Sequence, residues 1–446
     1  MDVAESIAFD VLDVLGGAFT LVKPNATLDG SLPLRAARAC LPLLDGNRFG
    51  FQIQLTQRLT FSRTFAGVKL GALPEMLSRA VCGSMPRVFS EGLFDARGAW
   101  ADAFAGGIAH RAGRRGISLF TGLFVRPRPG YWLRLGHAGN RRNLAFDVEE
   151  RWIANSNEFA PLVVTMTFHP DAPFPLSIHG EIATLMPLVP NVRFDRLSRA
   201  DAEKLGRAHV DFYDEKYFAQ KKRGSTRKYR LMVDRAEQPT LPQSSGFATL
   251  GPSCIERDMA KAFLTARGIE ERASAGNGES DVDVMAFKNA LSLSCYFDGH
   301  HAEVKPDQTA LGEFASQTCD AWKSVFGAEF VNQHRGAMWY FTKYVTPHQP
   351  GEPYFFVKPP ALVSTAAEHS VLIEGIPGRG YSVLRGVVGT DVFHAVPAVF
   401  RVDQPLRWID IPAGTELAKM IPFPRRVMEA GFDVVEWRHA PRMMGG

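Results

Sequence analysis

Histidines and carboxylates that alternate along short runs are the residues of this 446-residue sequence whose spacing would suit a metal ion. His300, His301 and Glu303 form one such set, and His169 with Asp171 forms a second. Residues i and i+2 of a β-strand point to the same face, so either set would bring an imidazole and a carboxylate to one ion. We expect His300, His301 and Glu303 to bind a divalent metal, with iron as the first choice.

His394 is the second candidate for chemistry. It follows Asp391 by three residues, in a predicted turn before a strand. Turns between rigid strands are where functional side chains gather. We expect His394 and Asp391 to be catalytic, beside a metal that acts as a Lewis acid on water, dioxygen or a bound carboxylate. The alternative is a histidine at the surface, or one that is hydrogen-bonded for structural reasons.

Two further segments are expected to contact a small-molecule substrate. Residues 221–230 contain six basic side chains and no acid around a Gly-Ser-Thr centre, a composition that suits a phosphate or carboxylate. Residues 338–341 are rich in aromatic side chains, which often line pockets. A solvated helix end and a hydrophobic core are the alternatives for these two segments. The predicted substrate-binding residues are Lys222, Arg223, Arg227, Lys228, Trp339 and Tyr340.

Other features of the sequence exclude several classes of function. G-x-G-x-x-G, Walker A, G-x-S-x-G, H-E-x-x-H and EF-hand motifs are all absent, which weighs against the enzymes that use them. The 51 basic residues nearly balance the 47 acidic ones, leaving a net charge of +4. We therefore expect neither a nucleic-acid partner nor a membrane partner. The sequence is compatible with a homo-oligomer.

The start of the chain and its cysteines favour a cytoplasmic location. The chain opens Met-Asp-Val-Ala-Glu, without the basic start of a secretory signal, and no run of 18 apolar residues could span a bilayer. The five cysteines include no C-x-x-C pair. This number and spacing suit buried free thiols in a reducing compartment better than disulfides or a zinc site.

The elements that would position these residues are mostly short strands. Residues 48–63 alternate polar and apolar side chains, and similar runs occur at 162–169, 370–376, 398–402 and 407–411. Helices are predicted over three segments: 199–220 after the N-cap Ser198, 307–326 before Gly327, and 253–266 from a Ser-x-x-Glu capping box.

The chain also contains an internal duplication. Phe-Val-Arg-Pro at 124–127 recurs as Phe-Val-Lys-Pro at 356–359, and Glu-Ile-Ala-Thr-Leu-Met-Pro at 181–187 recurs as Glu-Leu-Ala-Lys-Met-Ile-Pro at 416–422. Two related β-rich copies, 124–192 and 356–427, follow from these blocks.

The predicted fold class is therefore mixed and β-dominated (α+β). We expect two related β-sandwich or jelly-roll units with helical insertions between them. The predicted domains are 1–237, with a helical insertion at 198–222, and 246–446.

The second copy resembles an uncharacterised bacterial and viral β-rich domain family of unknown function. The resemblance lies in G-Y-S-x-L at 380–384, G-V-V-x-T-D at 386–391, I-P-A-G-T at 411–415 and I-P-F at 421–423. It covers about 90 residues, 340–427. Gly389 replaces an acid of the family pattern, and Glu416 replaces a proline. The resemblance implies a β-rich fold and no particular activity.

These observations lead to two hypotheses of function. The first is an enzyme of small-molecule metabolism, a cupin-like non-haem metal-dependent oxygenase or isomerase. The second is a non-catalytic binding or assembly protein, in which paired β-domains present aromatic and basic surfaces to a partner or a glycan. Fold alone does not choose between them, because β-sandwiches serve both purposes.

Overall fold

The structure is a computed structural model, and it confirms the β-dominated fold. It describes residues 7–25, 41–90, 104, 107–140, 145–190, 192, 195–217, 246–249, 255–258, 284–334, 344–347, 352–376, 378–391, 393–394 and 396–436. Within these residues strands greatly outnumber helices.

The strands are short, apart from three in the first half of the chain that reach 12 to 14 residues. Their bounds are β1 Ile7–Asp13, β2 Phe19–Val22, β3 Phe51–Thr64, β4 Gly67–Leu70, β5 Ala109–Ala112, β6 Gly116–Pro127, β7 Trp132–Gly136, β8 Phe146–Val148, β9 Arg151–Ile153, β10 Ala160–Phe168, β11 Leu176–Leu188, β12 Asp195–Arg196, β13 Gly246–Thr249 and β14 Ile255–Asp258. They continue with β15 Val284–Lys288, β16 Leu293–Phe297, β17 Ala302–Pro306, β18 Val345–Pro347, β19 Tyr354–Val357, β20 Ala361–Ser364, β21 His369–Gly375, β22 Tyr381–Val383, β23 Gly386–Val388, β24 Ala398–Val402, β25 Ile409–Ile411, β26 Glu416–Pro424 and β27 Gly431–Val434.

The described strands form six sheets. Sheet 1 has the order β27-β1-β6-β10-β8 with β5 beside β6, and sheet 2 has the order β2-β3-β11-β7-β9 with β4 beside β3. Sheet 3 is β12-β13-β20, and sheet 4 is β14-β15-β26-β21-β23. Sheet 5 is β17-β16-β25, and sheet 6 is β18-β19-β24-β22.

Three apolar clusters hold the sheets in layers. Sheets 1 and 2 share a core that includes Phe120 and Leu185. A second core, which includes Met420, joins sheet 4 to sheets 5 and 6. Sheets 2 and 4 meet through a third cluster, in which Met186 and Ile421 are both fully buried. The layers therefore run from sheet 1 through sheets 2 and 4 to sheets 5 and 6, with two sandwiches placed back to back.

Sheets 2 and 4 have the same strand order. With β4 left aside, sheet 2 has five strands like sheet 4, and in both sheets the strands, counted along the chain, lie in the spatial order first, second, fifth, third, fourth. The register also matches: Leu21 pairs with Ile53 in sheet 2, and the residues 234 positions later, Ile255 and Phe287, pair in sheet 4.

Five α-helices and one 3-10 helix lie in the described residues. They are α1 Leu41–Arg48, α2 Glu75–Ser90, α3 Arg199–Tyr217, α4 Gln308–Phe326, α5 Ala328–Gln333 and the 3-10 helix Arg425–Glu429. The predicted helix ends are confirmed where they are described. The Ser198 hydroxyl accepts a hydrogen bond from the backbone N–H of Asp201, Asp307 caps α4, and Gly327 ends that helix.

The helix predicted over 253–266 is wrong at its start. Residues 255–258 form β14, which pairs antiparallel with β15 at the edge of sheet 4. A capping box is a local signal, and here the hydrogen bonds of the ladder override it. The remainder of that predicted helix lies outside the described residues.

Two strand pairs join the predicted halves of the chain. β27, close to the end of the sequence, pairs parallel with β1 in sheet 1. β12 pairs parallel with β13 in sheet 3. In the part of the chain that the structure describes, no helix has the length and apolar character needed to cross a membrane.

Candidate functional site

The residues predicted as metal ligands lie at the exposed turn between β16 and β17. The Asp298 carboxylate accepts hydrogen bonds of 2.6 Å from the backbone N–H groups of both His300 and His301. These two hydrogen bonds, that of His301 first, hold the pKa of Asp298 below its usual value. Glu303 lies on β17, where its carboxylate is 3.0 Å from the ammonium of Lys305.

The structure therefore gives each of these groups a partner or a solvent-facing position. Among the described residues, no three His, Cys, Asp or Glu side chains are grouped as metal ligands. The metal role of His300, His301 and Glu303 stays a prediction. The second pair is not brought together on an ion either, because the imidazole of His169 lies 3.2 Å from Asp147 and not against Asp171.

Sheet 5 presents a polar and aromatic face beside that turn, which we call the outer face. Its members are Ser294, Tyr296, Glu303, Lys305, Trp408 and Asp410. The register places Ser294 opposite Lys305 on one neighbour and opposite Asp410 on the other. Strand residues alternate between faces, so Leu293 and Cys295 point into the second core instead.

Two aromatic rings form a ridge on the outer face. The rings of Tyr296 and Trp408 stack with centroids 5.2 Å apart and an interplanar angle of 26°. The Lys305 ammonium lies 4.5 Å from the centroid of the Trp408 ring. Trp408 is still 42% exposed. The ridge is therefore ordered by its own contacts and remains accessible.

An open groove of about 360 Å³ lies next to the ridge. Hydroxyl, ammonium and carboxylate groups of Ser292, Ser294, Lys305, Asp307 and Asp410 line it. The Ser294 hydroxyl donates a hydrogen bond of 2.6 Å to Asp410. Donors and acceptors thus alternate within a few ångströms of the aromatic ridge.

The predicted catalytic pair is buried. The Arg425 guanidinium forms two hydrogen bonds with the Asp391 carboxylate, at 2.7 and 2.5 Å. Asp391 is 1% exposed, and it also accepts a hydrogen bond from the backbone N–H of Glu368. These contacts hold the connection after β23 against the end of β26.

His394 belongs to the same buried connection. Its Nδ1 lies 3.2 Å from the carbonyl oxygen of Val363, and the residue is 3% exposed. Burial lowers the pKa of His394 to about 4, so the imidazole is neutral at pH 7. The contacts of His394 and Asp391 fit the structural alternative stated for this histidine.

Sequence reasoning missed a buried ion network between sheets 2 and 4, which we call the interlayer network. Its members are Arg134, Glu150, Glu374, Arg385 and Lys419. Arg134 donates two hydrogen bonds of 2.9 Å to Glu150 and forms an ion pair with Glu374. Arg385 donates to Glu374 at 2.7 Å, and Lys419 donates to Glu150 at 3.0 Å.

The electrostatics of the interlayer network favour the charged form of Glu150. Burial by itself would raise the pKa of Glu150, but the charges and hydrogen bonds of Arg134 and Lys419 hold it far below its usual range. Burial lowers the pKa of Arg385 to about 10, which still leaves it charged at neutral pH. The network therefore cross-links the two central sheets by ion pairs.

The remaining predicted residues are not described. Lys222, Arg223, Arg227, Lys228, Trp339 and Tyr340 all lie outside the described residues. Three cysteines are described, and all three are free thiols: Cys295 is buried, Cys319 is half-buried and Cys82 is exposed.

Comparisons with known proteins add little. No family model matches the sequence, and no curated protein matches it. Among solved structures, the chain is similar to the crystal structure of 2'-deoxycytidine 5'-triphosphate deaminase from Agrobacterium tumefaciens. The identity is 8% and the TM-score 0.26, over 84% of this chain and 88% of that chain. At that TM-score the similarity supports no assignment of fold or function.

Proposed function

We propose that this chain is a non-catalytic binding protein that recognises a glycan on the outer face of sheet 5. The observation that carries the proposal is the stack of the half-buried Tyr296 on the exposed Trp408, beside the polar groove. This function is the second of the two hypotheses drawn from the sequence.

The chemistry of the outer face suits a polyhydroxylated ligand. A sugar ring has an apolar face, which can pack on an aromatic side chain, and a rim of hydroxyl groups, which both donate and accept hydrogen bonds. The ridge would supply the first contact. Ser294, Lys305 and Asp410 would supply the second, since together they offer donors and acceptors along one row of the sheet.

The stacked rings also reduce the cost of binding. Tyr296 and Trp408 contact each other before a ligand arrives, so little side-chain freedom is lost when it binds. A rigid aromatic side chain contributes large contact area from few rotatable bonds. We therefore expect Trp408 to dominate the affinity.

We also propose that the two central sheets arose by duplication of one β-rich unit. The support is their shared strand order and the 234-residue offset between corresponding pairs. The offset is close to that of the sequence blocks 181–187 and 416–422. At the same offset the β16–β17 hairpin of sheet 5 corresponds to the β3–β4 hairpin of sheet 2, since Phe61 pairs with Leu70 and Cys295 pairs with Val304. Ser62 lies at the position of Tyr296, so only the second unit would carry the aromatic ridge.

Affinity electrophoresis in native gels tests the proposal. The gels would contain glycogen, laminarin, xylan or mannan, and the measured quantity is the retardation of the protein. We expect at least one polysaccharide to retard the wild-type chain and Trp408→Ala to weaken that retardation at least tenfold. The matched control is Phe65→Ala, which removes an exposed aromatic ring from a hairpin of the first unit. Wild-type mobility that no polysaccharide changes would overturn the proposal, as would equal retardation of Trp408→Ala.

The cupin-like metal-dependent enzyme stays the competing prediction. It differs from the glycan proposal in requiring a metal at His300, His301 and Glu303 and a reaction that depends on them. The metal content of the purified chain separates the two.

A further inference from the structure

A second groove lies in the first sandwich, between the β3–β4 hairpin and strand β5. It measures about 480 Å³ and opens to solvent. Its walls are the edge strand β4 of sheet 2 and the edge strand β5 of sheet 1. This edge groove is lined by residues of sheets 1 and 2 and of the loops beside them, none of which belongs to the outer face of sheet 5.

The β4 wall of the edge groove directs backbone groups away from its own sheet. The Gly71 N–H donates to Thr60 on β3 at 2.7 Å, so by alternation Val68 and Leu70 direct their N–H and C=O groups away from β3. Strand β4 has β3 as its one neighbour in the described sheets. An edge with such groups is a template for another strand.

The side chains of β4 specify which strand would fit. Val68 is buried and Lys69 is exposed, so β4 has one apolar face and one basic face. A strand added beside β4 continues both faces. Residues on the Val68 side would pack near Leu73 and Ile108, and residues on the Lys69 side would face solvent and the basic groups.

The charge of the edge groove points to an acidic occupant. Lys69, His110 and Arg111 are exposed on its walls, and the described lining residues include no carboxylate. The Arg111 side chain lies beside the backbone of Gly67, because a Cβ built at Gly67 would lie 3.2 Å from the Arg111 Nε.

We propose that the edge groove binds an extended peptide segment of a partner, in which acidic and apolar residues alternate, by strand addition to β4. Main-chain hydrogen bonds to Val68 and Leu70 would give affinity, and the alternation of side chains would give specificity. Strand β4 has four residues, so the bound segment pairs over about 13 Å.

Fluorescence anisotropy of a labelled peptide tests this inference. The probe is a Glu-Val-Glu-Val-Glu-Val peptide, and the comparison peptide replaces each Glu by Lys. We expect saturable binding of the Glu peptide by the full chain and at least tenfold weaker binding of the Lys peptide. Equal binding of both peptides, or binding of neither, would overturn the inference.

Two variants test separately how the main-chain hydrogen bonds of β4 and the charge of Lys69 contribute to peptide binding. Leu70→Pro removes an outward N–H, a change that an edge strand tolerates because that group makes no ladder hydrogen bond. Lys69→Glu reverses the charge and keeps the backbone. We expect each variant to weaken peptide binding at least tenfold. The control is Lys323→Glu, which reverses the charge of an exposed side chain on α4 and should leave binding unchanged.

Amide hydrogen exchange tests strand addition on the wild-type chain, so it does not require a variant to fold. Binding of the Glu peptide to the wild-type chain should protect the Val68 and Leu70 amides. Amides that exchange at the same rate with and without saturating peptide would contradict strand addition even if anisotropy rises.

Discussion

Arg134 on β7 and Glu374 on β21 form an ion pair across the two central sheets, with side chains that are 3% and 5% exposed. Neither charge can be solvated where it lies, so each depends on the other. Arg385 is the second cation on Glu374, and Glu150 is the second anion on Arg134. The relative position of the two sandwiches is therefore set by charge pairing as well as by apolar contact.

Removal of the Glu374 charge should destabilise the fold strongly. Glu374→Gln leaves the buried guanidinium groups of Arg134 and Arg385 without their shared carboxylate. Loss of one member of a buried pair typically costs about 3–5 kcal/mol of unfolding free energy. We expect a loss of that size in urea unfolding at pH 7, followed by circular dichroism.

The control for this prediction is Glu303→Gln. It removes the same charge from an exposed pair with Lys305, whose two side chains are 52% and 57% exposed. Exposed pairs contribute about 0–1 kcal/mol. Equal destabilisation by the two variants would show that burial of the network is not what makes it strong.

Much of the fold was predictable because its signals are local. Alternation along residues 48–63 corresponds to β3, and the predicted ends Ser198 and Gly327 lie at real helix ends. The helix predicted from Asp307 begins at Gln308, with Asp307 as its N-cap. The helix at 253–266 failed at its start because pairing with β15 is a contact distant in sequence, which a capping pattern does not contain.

The interlayer network was not predictable in the same way. Glu374 lies inside an apolar run of β21, and a buried acid in such a run is the available signal. Its partner Arg134 lies on β7, about 240 positions earlier in the chain, and its partner Arg385 lies in the connection between β22 and β23. Only the packing of sheet 2 on sheet 4 identifies which charges meet.

The candidate site shows the same limit. Spacing placed His300 and Glu303 near each other in sequence, but it gave no information on solvent exposure or on Lys305 as the partner of Glu303. Spacing also singled out Asp391, whose partner Arg425 lies 34 residues away. The outer face needed the register of three strands, and two of those strands are more than 100 residues apart.

The unfolding free energy should decrease as the pH falls from 6.5 toward 4, because the buried imidazole of His394 stays neutral over that range. Burial lowers the pKa of His394 from 6.5 to about 4. Between those values the unfolded chain binds a proton that the folded chain does not, so the unfolding free energy decreases as pH falls. The stabilisation is complete above pH 6.5, and roughly 2 kcal/mol should be lost between pH 7 and pH 5.

Urea unfolding at pH 7, 6 and 5 measures that loss. His394→Gln should give a shallower dependence on pH, and the part that remains would include His137, whose pKa burial also lowers to about 4. His300→Gln is the control, because it also removes one histidine but does so at an exposed turn. An unchanged slope in His394→Gln would show that the buried imidazole is not the source.

The metal prediction has a direct measurement. Glu303 is paired with Lys305, and His300 and His301 are exposed, so we expect less than about 0.1 equivalent of iron, manganese, copper or zinc per chain. Elemental analysis of protein purified without a tag or chelator gives the number. Near one equivalent, lost in His300→Ala and His301→Ala, would contradict the binding-protein proposal and favour the enzyme.

The backbones of α1 and β23 approach each other closely where Gly46 lies against Gly386. A Cβ built at Gly46 would lie 2.6 Å from the Gly386 Cα and 2.7 Å from the Arg385 carbonyl oxygen. Backbone atoms cannot rotate away as a side chain can, so Gly46→Ala must displace the helix from the strand. We expect a loss of about 2–3 kcal/mol in urea unfolding, the range of overpacked cores.

Gly312→Ala is the matched control, because Gly312 also lies within a helix, α4, and a Cβ there would meet nothing within 4 Å. Alanine restricts the unfolded chain more than glycine does, so this variant should gain about 0.5–1 kcal/mol. A loss of unfolding free energy in Gly46→Ala and a gain in Gly312→Ala would show that the loss arises from the contact of α1 with β23. The displacement also shifts the Arg385 backbone, so Gly46→Ala combined with Glu374→Gln should cost less than the two single losses together.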